Sequence, residues 1–246
     1  MTAPEFISEF DLLYNNTLGE GAPGLDNYER SVYLTTAQEE LVKALYTGNL
    51  QGGESFEDSE KNRRALNELT KDYRTSSVLT TSRNLVDDSK FFNLPSDVMF
   101  LVSETVVLES TDSCVNGSIV VVKPITHDEF MVSYRNPFRK PNSKKVWRVD
   151  ISKENNDTTV ELVSPETISE YRVRYVKYPK PIIVSDLTTD TQVGGLGLTI
   201  NGETSLASSE LNSYLHREIV NRAVELAVRD YRENSLKARI ETNNRV

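Results

Sequence analysis

Apolar residues recur at helical spacing near both ends of the chain and at strand spacing between them. Phe6, Ile7, Phe10, Leu13 and Tyr14 fall at intervals of three and four, which predicts a helix over 4–14 with Pro4 at its first position. The turn-rich stretch 15–27 ends it. Thr36 and Glu39 form a capping box for a second helix over 36–47, with Leu41, Val42, Leu45 and Tyr46 as its apolar side and Gly48 as its stop. A third helix is expected over 55–73. Ser55 is placed to cap it, Glu57 and Asp58 sit in its first turn, and Phe56, Leu66, Leu69 and Tyr73 give its apolar side. The longest helical pattern runs over 209–234, capped by Ser209. Its apolar face is Leu211, Leu215, Ile219, Val220, Ala223, Leu226, Ala227 and Tyr231.

From about residue 76 the texture is Val, Thr and Phe. Strands are expected at 78–80, 97–109, 118–123, 129–135, 146–151, 158–163 and 171–176. The last reads YRVRYV, a strict alternation of aromatic or valine with arginine. Asn116-Gly117 and Asn155-Asn156-Asp157 are hairpin-type turns, and Pro179 and Pro181 end the strand region. The links read as too short for crossover helices, so the strands should pair antiparallel. Residues 185–209, rich in Ser, Thr and Gly with Asn201-Gly202 as a tight turn, read as a long loop or projecting hairpin.

The C-terminal helix needs a partner, and the N-terminal helices are the obvious one. The fold class that follows is α+β, a helical domain from both chain ends with an inserted antiparallel β-domain. The expected divisions are an N-terminal helical part over 1–75, the β-domain over 76–184, the loop or hairpin over 185–208, and a C-terminal helix and tail over 209–246.

Composition sharpens this picture. The apolar share of the 246 residues is 37%, thin against the roughly 45–50% of an average globular domain. An elongated protomer that completes its burial against neighbours fits better than a compact monomer. The formal charge is −9, and residues 1–61 hold twelve acids against three bases. The opposite sign gathers in one island, Arg135, Arg139, Lys140, Lys144, Lys145 and Arg148, with no acid between positions 135 and 148. No apolar run approaches the roughly 18 residues of a membrane helix. The acidic start lacks the basic segment of a signal peptide. The single cysteine excludes an internal disulfide framework and points to a reducing compartment, and two histidines cannot build a His-rich zinc or iron site.

Candidate chemistry is sparse. His127 beside Asp128 and Glu129 can be drawn as an acid–base pair, but ITHDEF reads better as a polar turn between strands. Asp87-Asp88 has no further carboxylates nearby to complete a cation site. Gly194-Gly195-Leu196-Gly197 lacks the strand, helix and Gly-Lys-Ser/Thr of a phosphate loop. Ser113-Cys114 carries no nucleophile signature, and Cys114 reads as a semi-buried structural residue. His216 reads as an interface or capping residue. No catalytic residue, metal site or cofactor is expected. The basic island is open to three uses: docking on an acidic protein partner, a solvated loop, or nucleic-acid contact with Phe138 and Trp147 stacking on bases. The acidic balance of the chain disfavours the last.

DNYERSVYLTTAQEELVKALYTG at 26–48, ESFEDSEKNRRALNEL at 54–69 and LTINGETSLASSELNSYLHREIVNRAVELAVRDY at 198–231 resemble the neck proteins of crAss-like tailed bacteriophages. The order of helical head, β-insertion and C-terminal helix is similar to that of head–tail adaptors of podovirus-type phages. The resemblance covers close to half the chain, and the β-region matches by texture only. It implies a virion structural protein assembled in the host cytoplasm. It further implies a dodecameric ring beneath the portal that joins neighbouring neck or tail rings around the DNA channel, with no catalytic residues. Genomic DNA would pass without specific binding, since acidic walls repel phosphate. The rival class is a ligand- or carbohydrate-binding module of a tail fibre or baseplate. Such modules usually present several aromatics on a platform, whereas this chain has one Trp.

Overall fold

A computed structural model describes residues 1–19, 23–48, 55–79, 86, 89–150, 158–191 and 196–243, without the side chains of 150 and 234–243. The chain forms two compact units, one of residues 1–69 and 179–246, the other of residues 70–178. Helices come from both chain ends and a seven-stranded mixed sheet lies between them in sequence.

In the first unit, helix α1 spans Ala3–Leu18 and buries Phe6, Phe10 and Tyr14 at successive turns. Its first turn is closed by the Thr2 amide, which donates to Glu5 Oε2 at 2.8 Å. The helix outlasts the predicted 4–14 and stops at Gly19, whose φ of 72° suits glycine. Helix α2 spans Asn27–Thr47 and starts nine residues before the predicted 36. The capping box is Asp26 with Glu29, not Thr36 with Glu39. The Glu29 amide donates to Asp26 Oδ1 at 2.7 Å and the Asp26 amide to Glu29 Oε2 at 3.0 Å. Gly48 ends it in the left-handed region, as expected. The third predicted helix shrinks to α3, Glu60–Ala65. Ser55 closes a turn with Asp58 instead, and residues 70–75 are strand.

The final helix, α5, spans His216–Asn243 after a 3-10 turn at Ser213–Leu215, and it lies on α1 and α2. Its predicted apolar face is buried from Leu215 to Ala227, while Tyr231 stands exposed. His216 holds the α1 junction. Its Nε2 lies 2.8 Å from the Leu211 carbonyl oxygen, its Nδ1 lies 2.7 Å from the Met1 amino group, and its ring packs 5.3 Å from Phe6. Burial is the main cause that lowers its pKa, and the Met1 ammonium adds to the effect.

The segment after the sheet returns along α2. Three buried polar side chains on one face of that helix, Ser31, Thr35 and Gln38, meet its backbone. The Val184 amide donates to Ser31 Oγ at 3.1 Å and the Ile182 amide to Thr35 Oγ1 at 3.1 Å. Gln38 Nε2 donates to the Lys180 carbonyl at 2.7 Å, and its Oε1 accepts from Ser209 Oγ at 2.5 Å. Described residues of the region 185–208 pack on the helical unit. Ile183, Leu187 and Ile200 are buried against Tyr28 and Val32 of α2. The predicted Asn201-Gly202 turn is present, with φ of 51° and 85°, and Asn201 Nδ2 donates to Glu39 Oε1 at 3.1 Å.

The second unit holds β1 (Thr70–Thr75), β2 (Ser89–Asn93), β3 (Val98–Glu109), β4 (Ile119–Ile125), β5 (Val146–Asp150), β6 (Thr159–Val163) and β7 (Thr167–Lys177) in the order β1-β7-β3-β4-β5-β6-β2. Neighbours are antiparallel except β4 and β5, which run parallel from Val122↔Val146 to Ile125↔Val149. A parallel pair needs a crossover, and residues 126–145 supply it with helix α4, His127–Ser133. The strand expected at 129–135 is therefore a helix. Thr126 caps it by accepting from the Glu129 amide at 3.2 Å. Phe130 and Trp147 of a small second core lie on the α4 side, and the main core gathers Phe92, Val106, Leu108, Val120, Leu162 and Tyr171. Leu79 pairs with Phe91 as an isolated bridge at the predicted 78–80. The Asn116-Gly117 turn joins β3 to β4 with Gly117 at φ 76°. The turn expected at 155–157 lies outside the described residues.

Replacing Thr35 by Val keeps the shape of the side chain and removes the acceptor of the buried Ile182 amide. The expected loss is about 1–3 kcal/mol of stability by urea denaturation, well above that of the same change at exposed Thr36.

Candidate partner interface

The basic island occupies the end of the α4–β5 crossover. Two asparagines fold it. The Asn136 carbonyl accepts from the amides of Arg139 and Lys140 at 3.0 and 3.1 Å, and Asn136 Oδ1 accepts from the Phe138 amide at 3.0 Å. Asn142 and Lys145 then exchange backbone bonds at 3.0 Å in both directions, while Asn142 Oδ1 accepts from the Lys144 amide at 2.9 Å. Such asparagine-led turns replace strand pairing with local bonds and leave the intervening side chains in solvent. Arg135, Arg139, Lys140 and Lys144 are exposed and Lys145 is half-buried. Pro141 is buried between the two turns.

Arg148 leaves this group. Alternation along β5 turns it into the sheet, where its Nη1 donates to Glu104 Oε1 of β3. The Tyr171 hydroxyl donates to the same carboxylate oxygen at 2.9 Å. Burial, and after it the Glu104 charge, pushes the Tyr171 hydroxyl far above its ordinary range, so it stays a donor at any physiological pH. Arg148 is a strut of the β-unit, and its inclusion among partner-facing bases is corrected. Trp147 is buried against Phe130 in an edge-on contact at 6.2 Å, so it cannot stack on a base. Phe138, at 96% exposure, remains as the aromatic beside the bases.

Apolar side chains flank the same stretch. Ile119 and Val121 on β4 and Met131 and Val132 on α4 are exposed. The sequence hides them for two reasons. Ile119-Val120-Val121-Val122 alternates in and out with apolar residues at every position, so no polar partner marks the outer face. Met131 and Val132 follow from the helix that replaces the predicted strand. Lys123 and Glu129 pair at 3.4 Å and tie β4 to the first turn of α4. The YRVRYV alternation is borne out: Tyr171, Val173 and Tyr175 face the main core. Arg172 is turned the other way, with its Nε donating to Glu170 Oε2 at 2.6 Å, and Arg174 is exposed.

The remaining candidates separate. His127, Asp128 and Glu129 form the exposed first turn of α4, not a turn between strands. Cys114 is exposed, against the semi-buried expectation, in a turn where its amide donates to Asp112 Oδ1 at 3.0 Å. Asp87, Asp88, Gly194 and Gly195 lie outside the described residues. Among the described residues no three His, Cys, Asp or Glu side chains gather as a metal site.

Arg148→Ala removes a buried cation from Glu104 and should cost on the order of 3 kcal/mol in a denaturant titration. The double change Arg148→Met with Glu104→Gln should recover most of that loss. Lysine-to-alanine changes at Lys140 or Lys144 should leave stability within about 0.5 kcal/mol.

Comparison with known proteins places the whole chain in one context. The profile of the family described as Phage tail ring protein 3/4 matches residues 1–239. Ring protein 3 of Bacteroides phage crAss001 is 38% identical over 230 residues, covering 93% of this chain and 95% of that protein. Ring protein 4/5 of the same phage is 36% identical over 252 aligned positions, covering 100% and 99%.

Proposed function

The chain belongs to the phage tail ring protein 3/4 family of crAss-like phages, and on that premise we propose that its protomers close into a ring of the head-to-tail connector beneath the portal. The ring, of twelve copies by the family resemblance, links capsid to tail around the DNA channel and contacts the portal and neighbouring ring proteins. Its place is the virion, after assembly in the host cytoplasm. Its role is structural, not enzymatic. The observation that carries the reading is the length of the match: the relatives named as ring proteins align with both the helical ends and the inserted sheet. The surface supports it. Four exposed bases, the half-buried Lys145 and an exposed Phe138 share one crossover segment with exposed Met131 and Val132, in a chain whose first quarter is strongly acidic. No helix among the described residues is long and apolar enough to cross a membrane.

DNA passage fits a chain of net charge −9. Non-specific duplex binding draws its energy from phosphate neutralisation and counterion release, and a net acidic protein offers little of either. A channel that DNA slides through should hold it weakly.

Electron microscopy of the purified chain, and of virions probed with an antibody to it, tests the ring. Closed rings with a central channel are expected, with each subunit contact burying more than about 2,000 Å². A chain that stays monomeric in solution and is absent from virions overturns the reading. A fluorescence-anisotropy titration with a short duplex tests the channel property. Binding weaker than micromolar at physiological salt is expected. Sub-micromolar binding, lost with a salt slope near 0.9 per phosphate contact, would make the island a DNA grip.

A further inference from the structure

Large exposed apolar residues fall in both units. Ile119, Val121, Met131, Val132 and Phe138 lie within twenty residues of the β-unit, and Leu12 is the exposed one on α1, the others of the helical unit among the described residues lying after residue 195. The charges around these two groups are opposite. Phe138 is set among Arg135, Arg139, Lys140 and Lys144, all exposed. Leu12, at 62% exposure, sits on a helix that carries Glu5, Glu9 and Asp11 and no base. Asp11 is already engaged with Arg30 at 2.9 Å, and Glu9 is loosely held, 3.8 Å from the exposed Arg217. Glu9, and Glu5 whose carboxylate also caps the Thr2 amide, supply the charge beside Leu12. One surface sets an exposed aromatic among bases, and the other sets an exposed aliphatic side chain beside acids.

We propose that the Phe138 patch of one copy docks on the outer face of α1 of the next copy, with Leu12 against Phe138 and the island bases facing Glu5 and Glu9. The inference rests on the ring reading and names the surfaces that would make it. A contact of either patch with its own copy would set base on base or acid on acid, so each patch is expected to meet the other. A head-to-tail contact pairs opposite signs. Repeated, it uses one acidic and one basic face per copy, and the result is a ring when the rotation closes.

Cysteine cross-linking of the full chain, with Cys114→Ser to remove the native thiol, tests the contact. Leu12→Cys with Phe138→Cys should give a ladder of disulfide-linked multimers, and each single variant should not. Dimers from either single variant would show a two-fold contact and overturn the proposal. Wild-type multimers without a ladder from the double variant would overturn it and leave the ring reading standing. No wild-type multimer, in solution or in virions, would remove the ring reading itself. Charge exchange gives an independent readout. Arg139→Glu with Lys140→Glu, and separately Ser8→Lys with Glu9→Lys, should each weaken self-association about tenfold or more while the circular dichroism is unchanged. Mixed in equal amounts, the two should assemble, because every contact between unlike variants restores opposite signs. Failure of the mixture with both variants folded would count against the pairing.

Discussion

The helical unit depends on how the chain comes back to it. After the sheet, residues 180–184 re-enter as an extended segment, buried from 181 on and with no neighbouring strand over most of its length, and its backbone groups need partners. Helix α2 provides them with Ser31, Thr35 and Gln38, positions four and three apart that share one face. The segment answers with every second residue, Val184, Ile182 and Lys180, running opposite to the helix. The two periods match closely enough for three contacts, since about 1.5 Å per residue on the helix and about 3.3 Å on the extended chain give comparable spans. Between these bonds Ile182 and Ile183 are fully buried. Polar side chains in the core therefore decide where the insertion can end.

That constraint explains what the sequence conceals. The buried positions of α2 before residue 36 are largely Ser31 and Thr35, with Leu34 between them, so an apolar count sees no helix there and starts at Leu41. Asp26 and Glu29 do spell a capping box, yet without an apolar stripe behind them the later Thr36–Glu39 pair reads as the start. The end of the third predicted helix fails differently. Leu66 and Leu69 keep helical spacing, but Tyr73 belongs to β1, where register with Val173 of β7 outweighs local periodicity. In contrast, α1 and α5 were legible because Phe6, Phe10 and Tyr14, and Ile219, Ala223 and Ala227, mark one face without polar interruption.

The inserted sheet shows the same division between local and long-range information. Thr70 pairs with Val176, so the strands that open and close the insertion lie side by side. Neither β1 nor β2 stands out in sequence, and their pairing with β7 and β6 is what makes them strands. The parallel β4–β5 pair turns on a similar point. A connection of twenty residues, 126–145, is long enough for a crossover, and Thr126 ahead of Glu129 is a cap signal. The β-rich composition of Phe130, Met131 and Val132 hides the helix. Inward alternation then separates Arg148 from the bases that precede it. Six charges that form one cluster in sequence become five on the surface and one paired inside with Glu104.

The five bases left on the surface bear on how a weakly bonded surface could specify an assembly. A single exposed ion pair contributes little, because water and salt screen it and two long side chains must be ordered. Their placement matters more than their number. The turns at Asn136 and Asn142 fix the backbone of the island, Pro141 between them is buried, and Trp147 after them belongs to the second core, so little further ordering would be required on meeting a partner. In the proposed contact Phe138 and Val132 would supply the apolar area from which affinity derives, while the bases would set which surface approaches and in what orientation. Opposite signs on separate units of one chain would favour contact between unlike surfaces, the kind of pairing that a head-to-tail ring repeats from copy to copy.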